Sequence, residues 1–255
     1  MTERGRGTLN ASAARLAIGP SAWTWTGRQL VIDIDEWTVP VPKRLRGRII
    51  VEPGPVFAEE ICLHDNRRHF WRPVAPCARV EARFDHPDLG WRGSAYLDMN
   101  HGAEPLEAGF RRWDWCRSEA DGGTRIHYET SPREGGPRSL ALEYRRDGTL
   151  ASLAAKPSRP LPRTGWRVAR SAPGAAHVER TLEDTPFYSR SMLGQDGSRR
   201  RAIHETVDLD RFRSRWVQAL LPFKMPRLAG RGGASVPVLS PALPGRLRPP
   251  LQPGE

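Results

Sequence analysis

Lysine is almost missing from this chain. Only Lys43, Lys156 and Lys224 occur, so nearly all of its 40 basic residues are arginine. Against 29 acidic residues they leave a net charge of +11. Such a charge draws a protein to nucleic acid, anionic lipid or acidic substrates. The arginines are scattered, apart from Arg199–Arg201, and no recognition motif accompanies them, so no nucleic-acid partner is expected. Arginine, alanine, glycine and proline all have GC-rich codons, which accounts for the composition without a polyanion. Cysteine is scarce too. Cys62, Cys77 and Cys116 are odd in number and match no zinc or redox spacing, which suggests a reduced, cytoplasmic setting. No run of about 18 apolar residues occurs, so no transmembrane helix is expected. The first residues, MTERGRGTLN, lack the apolar core of a signal peptide. There is no G-x-S-x-G, no P-loop and no G-x-G-x-x-G opening a helix. Serine-nucleophile, ATP and nicotinamide chemistry are therefore unsupported. His64, His69 and His101 stand in no metal-binding pattern, and neither a metal nor a cofactor is expected.

What is abundant points to β structure. Glycine and proline number 24 each, too many for a helical bundle, and Trp at 9 outnumbers Phe at 7. AWTWTGRQLVIDIDEW (22–37) alternates on both sides of Thr26–Gly27, as a hairpin does. Residues 48–51 and 58–63 read as further strands, and Pro73 and Pro76 as interruptions. ARVEARF (78–84) and WRGSAYLDMN (91–100) read as strands around a turn at Pro87–Gly90. Short strand patterns recur at 124–130, 139–145, 149–153, 165–169, 177–182 and 202–205, with turn signals between them. This spacing suits an antiparallel sandwich or barrel. One segment, LDRFRSRWVQALL, has helical spacing, with Asp208 as cap and Pro222 as terminator. It either plugs the end of a barrel or turns Arg211, Arg213 and Arg215 to a membrane. Beyond Arg227 the composition suits a disordered tail.

Three segments could carry chemistry. Along a strand over 91–102, Tyr96, Asp98 and Asn100 share one face. An Asp beside Tyr and facing inward would be desolvated and kept protonated, a general acid near neutral pH. Alternatively, Asp98 caps a loop or pairs with an arginine. His69 and Trp71 share a face of HFWRP, either as a proton relay beside an apolar pocket or as a core pair. Trp113 and Trp115 share a face of FRRWDWCRSE. Exposed, they would make a platform for sugars; buried, they would wall an apolar cavity or simply pack.

The stretches VIDIDEWTVPVP, RHFWRPVAPCARVE, GSAYLDMNHGAEPLE, WDWCRSE, TLEDTPFYSRS, HETVDLDRF and WVQALLPFKMPR together resemble the carotenoid 1,2-hydratase (hydroxyneurosporene synthase) family of purple photosynthetic bacteria. The likeness runs colinearly to about Arg227. It implies an all-β, lipocalin-like fold of the AttH type, in two antiparallel barrel or sandwich halves. Residues 1–72 would be the remainder of the first half. Residues 73–227 would form the second, with a helix near 208–221, and 228–255 a Pro/Gly-rich tail. It also implies a further family segment ahead of this chain that completes the first half. The implied activity is a hydro-lyase reaction without cofactor, adding water across the C1–C2 double bond of acyclic carotenoids such as neurosporene and lycopene. Residues implicated in the family fall here on His69, Trp71, Tyr96 and Asp98. In the mechanism expected for them, Asp98 is the acid and His69 accepts the water proton or holds the water in place. Trp113 and Trp115 would then line the substrate. Such a substrate implies a peripheral position on the cytoplasmic face of the inner or intracytoplasmic membrane. A non-catalytic lipocalin-like carrier of carotenoid or lipid is the alternative.

Overall fold

A computed structural model describes residues 3–38, 41–195, 198–224 and 227–228. The first strands are β1 (Glu3–Arg4), β2 (Leu9–Ala11), β3 (Arg15–Ile18), β4 (Ser21–Trp25), β5 (Leu30–Trp37) and β6 (Arg44–Glu52). Next come β7 (Ile61–Cys62), β8 (His69–Ala75), β9 (Arg79–His86), β10 (Asp88–Ser94) and β11 (Leu97–Gly102). A one-turn helix, α1 (Leu106–Gly109), leads into β12 (Phe110–Ala120), β13 (Gly123–Pro132), β14 (Arg138–Arg145) and β15 (Leu150–Ser152). The hairpin strands β16 (Ser158–Leu161) and β17 (Arg170–Pro173) precede β18 (Ala176–Asp184), β19 (Tyr188–Gln195) and β20 (Ser198–Asp208). Helices α2 (Leu209–Phe212) and α3 (Arg215–Lys224) follow, and β21 (Arg227–Leu228) pairs with β1.

The expected hairpin at 22–37 forms, with Gly27 at φ 90° turning β4 into β5. These strands belong to a seven-stranded sheet in the order β10-β9-β6-β5-β4-β3-β2, so two of its strands come from beyond residue 72. Pairing in register puts Trp23, Trp25, Leu30, Ile32, Ile49, Val51, Val80 and Ala82 on one face. Asp33, Asp35, Arg44, Arg48 and Arg83 lie on the other. The apolar face leaves Trp23, Trp25, Leu89 and Trp91 exposed. A second seven-stranded sheet runs β15-β14-β13-β12-β20-β19-β18, and a small sheet β11-β8-β7 packs on it. Both large sheets are open among the described residues, whereas closed barrels were one expectation: no pairing joins β2 to β10 or β15 to β18.

Five sequence expectations need correction. Residues 91–100 are not one strand. β10 pairs with β9 and β11 with β8, and the chain changes sheets at Ala95–Tyr96. The partner segment turns at Pro76–Ala78, so an antiparallel neighbour must turn there too. Pro73 does not break its strand: it sits within β8 opposite Asp98, beyond the reach of the two-residue β7, where a missing N–H costs no ladder bond on that side. Of residues 58–63 only β7 pairs, and 165–169 is a loop before β17. The helix is two pieces. Asp208 accepts the Arg211 N–H as the expected cap, but α2 stops at Phe212, and Pro222 lies within α3. The expected tail lies outside the described residues.

The main core lies between the small sheet and the second large sheet. It joins Phe57, Leu63, Trp71, Phe110, Trp115, Ile126, Tyr128, Leu142 and Tyr144. The opposite face of the large sheet holds a buried polar cluster beneath the β16–β17 hairpin. Asp114 accepts from Thr206 Oγ1 at 2.5 Å and from Ser171 Oγ at 3.2 Å, and pairs with Arg112 at 2.6 Å. His204 Nε2 donates to the Ser171 carbonyl at 2.8 Å. Burial works to raise the Asp114 carboxyl, but the His204 hydrogen bond and the Arg112 charge outweigh it and hold it below the usual carboxylate range. This cluster pins the hairpin to the sheet. Asp114→Ala leaves Arg112 without its partner and is expected to lower unfolding stability by about 3–5 kcal/mol, measured by urea denaturation. A depressed folded-state value contributes stability above the unfolded carboxylate range and loses it as pH falls toward the lowered value. The stability gap between the unaltered protein and Asp114→Asn should therefore close only in acid.

Candidate active site

The site begins with a partly buried carboxyl group at the main core. β11 shifts register between Leu97 and Asp98, and this bulge places Asp98 beside Pro73 and toward Trp71. Trp71 is fully buried, and its Nε1–H donates to Asp98 Oδ2 at 2.8 Å. The Tyr96 hydroxyl donates to the same oxygen at 3.2 Å. Tyr96 precedes β11 instead of sharing a strand with Asp98, yet the corner at Ala95–Tyr96 brings the two together. Both side-chain donors fall on Oδ2, which leaves Oδ1 to carry a proton. Burial raises the Asp98 carboxyl, and the two hydrogen bonds offset this only in part. No basic residue pairs with it among the described residues. The alternatives of an arginine partner or a loop cap are thereby excluded.

Aromatic faces surround this carboxyl. Trp71 stacks on Tyr128 with ring centres 5.0 Å apart and planes at 14°. Tyr96 packs on Trp115 at 5.0 Å, and the Arg117 guanidinium lies 5.5 Å from the centre of the Tyr96 ring. Trp113 touches Phe110 and Tyr128 in the same layer. The two tryptophans of β12 thus wall the interior, which removes the sugar-platform reading. Sequence reasoning missed Tyr128, although the apolar alternation Ile126–Tyr128 marks an inward face. Cross-strand register also builds a row: Arg190, Glu205, Trp115, Tyr128 and Leu140 stand side by side on β19, β20, β12, β13 and β14.

His69 is placed apart from this group. It is on the same face of β8 as Trp71, but its Nε2 bonds Glu104 Oε1 at 3.1 Å and its ring packs on Phe110 at 4.8 Å. Gly109 and Gly102 press against the imidazole so closely that a Cβ at either would overlap it. His69 is 1% exposed, and its described partners are Glu104 and Phe110. Concavities lie elsewhere: about 600 Å³ along Phe84, Leu89 and Trp91, and about 360 Å³ beside Cys116 and His127 on the opposite face. Chemistry and not size singles out Asp98, whose carboxyl burial raises. Cys116 is no rival nucleophile, because burial pushes its thiol up to about 12. No group of metal-ligating side chains assembles among the described residues.

The chain as a whole matches a known lineage. The carotenoid hydratase family model, CrtC, matches residues 1–233. The acyclic carotenoid 1,2-hydratase of Thiocapsa roseopersicina is 46% identical over 237 residues, covering 90% of this chain and 58% of that protein. That of Rubrivivax gelatinosus is 43% identical, with the same coverage. For Cereibacter sphaeroides the values are 35% identity, 90% of this chain and 85% of the relative. The chain thus spans 58% of the length of the first two relatives. A solved structure from Nitrosomonas europaea described as AttH shares the fold at a TM-score of 0.52 and 12% identity, over 80% of this chain and 73% of its own. An all-β, AttH-type fold and a colinear match over most of its length both lead to one conclusion: the chain belongs to the carotenoid hydratase family.

Proposed function

We propose that this protein hydrates the terminal C1–C2 double bond of an acyclic carotenoid such as neurosporene or lycopene, giving a tertiary 1-hydroxy product. The observation that carries this reading is the Asp98 carboxyl, partly buried without a cation and held by Trp71 and Tyr96 on one oxygen. Protonating a trisubstituted alkene demands a carboxyl that favours its protonated form, and burial shifts Asp98 in that direction. Asp98 delivers its proton to C2. Positive charge then develops at C1, where the faces of Trp71, Tyr96 and Trp115 stabilise it, each by up to ~2 kcal/mol when desolvated. Names of the relatives supply the substrate class. The apolar face of the first sheet, with Trp23, Trp25 and Trp91 exposed, suits a long hydrocarbon chain. His69 positions Trp71 through its bond to Glu104.

A carotenoid resides in the bilayer, so the enzyme works at its surface. No helix among the described residues is long and apolar enough to cross a membrane. Trp166 and Trp216 stack 6.4 Å apart and are exposed together with Leu220, beside Arg213 and Arg215. This patch is our candidate for peripheral contact with the cytoplasmic face of the inner or intracytoplasmic membrane, its arginines suited to anionic headgroups.

Four outcomes are expected. With lycopene-containing membranes and ¹⁸O-labelled water, Asp98→Asn should lose hydration by about 100-fold or more. Carotenoid bound but unaltered by the unmutated protein would instead favour a carrier. The same variant should become more stable than the unaltered protein as pH rises. The raised folded-state value of Asp98 means that its stability is complete below the unfolded carboxylate range and is lost as pH climbs through the folded value. Trp71→Phe keeps an aromatic face but removes a hydrogen bond that favours the ionised carboxylate. The alkaline limb of the pH–rate profile should therefore move to higher pH. Finally, the protein should float with anionic liposomes at low salt, and Trp216→Ser with Leu220→Ser should weaken this; recovery wholly in the supernatant would refute the membrane assignment.

A further inference from the structure

Acid-catalysed hydration needs a second group. Once C1 is cationic, the attacking water must lose a proton, and Asp98 has just become a carboxylate on the C2 side. His69, the other titratable group of the family motif, is sealed and bonded to Glu104. Cross-strand register offers a different candidate. Glu205 lies directly opposite Trp115 on the inner face of β20, and Trp115 lies directly opposite Tyr128 on β13. Tyr128 carries the Trp71 indole that donates to Asp98, and Trp115 carries the Tyr96 ring that donates to the same oxygen. Asp98 therefore stands over this row from the small sheet, and Glu205 stands in it from the large one. The Tyr128 hydroxyl lies within the field of both: burial raises it most, and the Asp98 and Glu205 charges add to the rise.

Two further observations point to a small polar ligand here. The Trp115 Nε1–H is buried and has no hydrogen-bond partner among the described residues, which is a costly condition for a donor unless a water or a substrate hydroxyl satisfies it. Glu205 itself is only partly buried and is paired with Arg190 Nε at 2.9 Å, so it presents an acceptor and not a proton. Across the site, one carboxyl is without a cation and the other has one. Different environments of this kind separate an acid from a base.

We propose that Glu205 is the base of the hydration, with Trp115 Nε1 orienting the water; this rests on the hydratase reading above. Asp98 loses its proton as the π pair forms the C2–H bond. The water oxygen bonds to C1, one of its O–H bonds breaks, and that proton passes to Glu205. Return of a proton from Glu205 to Asp98 through solvent restores both groups, and the sum is alkene plus water giving alcohol.

The test compares the full chain with Glu205→Gln, Glu205→Ala and Asp98→Asn, using liposomes loaded with lycopene. Glu205→Gln should bind carotenoid and melt as the unaltered protein does, while hydration falls by about 100-fold or more, the usual worth of a general base. Formate should restore part of the rate to Glu205→Ala, because a small carboxylate replaces the missing one, and should do nothing for Asp98→Asn. Hydration by Glu205→Gln within threefold of the unaltered rate overturns the assignment. So does loss of carotenoid binding together with activity and no response of Glu205→Ala to formate, which would make Glu205 a structural partner of Arg190. An unaltered protein that yields no product overturns the hydratase reading, and the role of Glu205 with it.

Discussion

The hydrogen bond from Trp71 Nε1 to Asp98 Oδ2 is the contact on which the site depends. It ties a strand of the small sheet to a carboxyl that the core would otherwise expel, because burying such a group without partners is expensive. Two donors make the position tolerable, and burial without a cation raises the group. This matters in a chain with 40 lysines and arginines. The same molecule shows the opposite solution at Asp114, buried on the other face of the second sheet. There Arg112, His204, Thr206 and Ser171 converge, and the carboxyl is held low. Composition does not distinguish the two aspartates. What separates them is the strand face each occupies: Asp114 faces polar neighbours beneath a hairpin, Asp98 an aromatic layer.

That layer follows from alternation and register. Trp113, Trp115 and Tyr128 project inward because β12 and β13 place every second residue on one face. Pairing then sets Trp115 between Tyr128 and Glu205 without any further specification. The small sheet supplies Trp71 and Asp98 from two adjacent strands, and the bulge at Leu97–Asp98 aims the carboxyl. Even His69 fits this scheme. Its bond to Glu104 and the close approach of Gly102 and Gly109 fix the end of β8, so that Trp71 has one rotamer to occupy.

The strands and the local pairs were legible in the sequence. Trp23–Thr24–Trp25 and Leu30–Ile34 announce a hairpin by period alone, and Asp208 announces a helix start. The pair Tyr96 and Asp98 was singled out for a partly wrong reason: the two do not share a strand, but the corner after Ser94 brings them into contact all the same. Pro73 misled, because a proline breaks a strand only where its N–H is needed by a neighbour, and the length of that neighbour cannot be read locally. Pro222 misled for a similar reason. Tyr128, Glu104 and Glu205 were invisible as a group. Each is an ordinary residue in its own segment, and only non-local contacts set Tyr128 against Trp71, Glu104 against His69 and Glu205 opposite Trp115.

The division of the chemistry between two sheets has a physical rationale. A nearby cation would ionise a neutral acid, whereas a charged acceptor is balanced by one, so the cation belongs with the acceptor and away from the acid. Asp98 sits on the small sheet, and Glu205, paired with Arg190, sits on the large one beside Trp115 in the aromatic row that continues to Tyr128. The same rings that keep the carboxyl desolvated then offer their faces to a developing cation. An alkene entering that layer would meet the acid from one sheet and water from the other. Charge would appear only where π density already stands, and would be removed on the side where Arg190 balances Glu205. In the proposed reaction the two-layer architecture keeps the Arg190 charge with Glu205 and away from Asp98, using residues that also form the core.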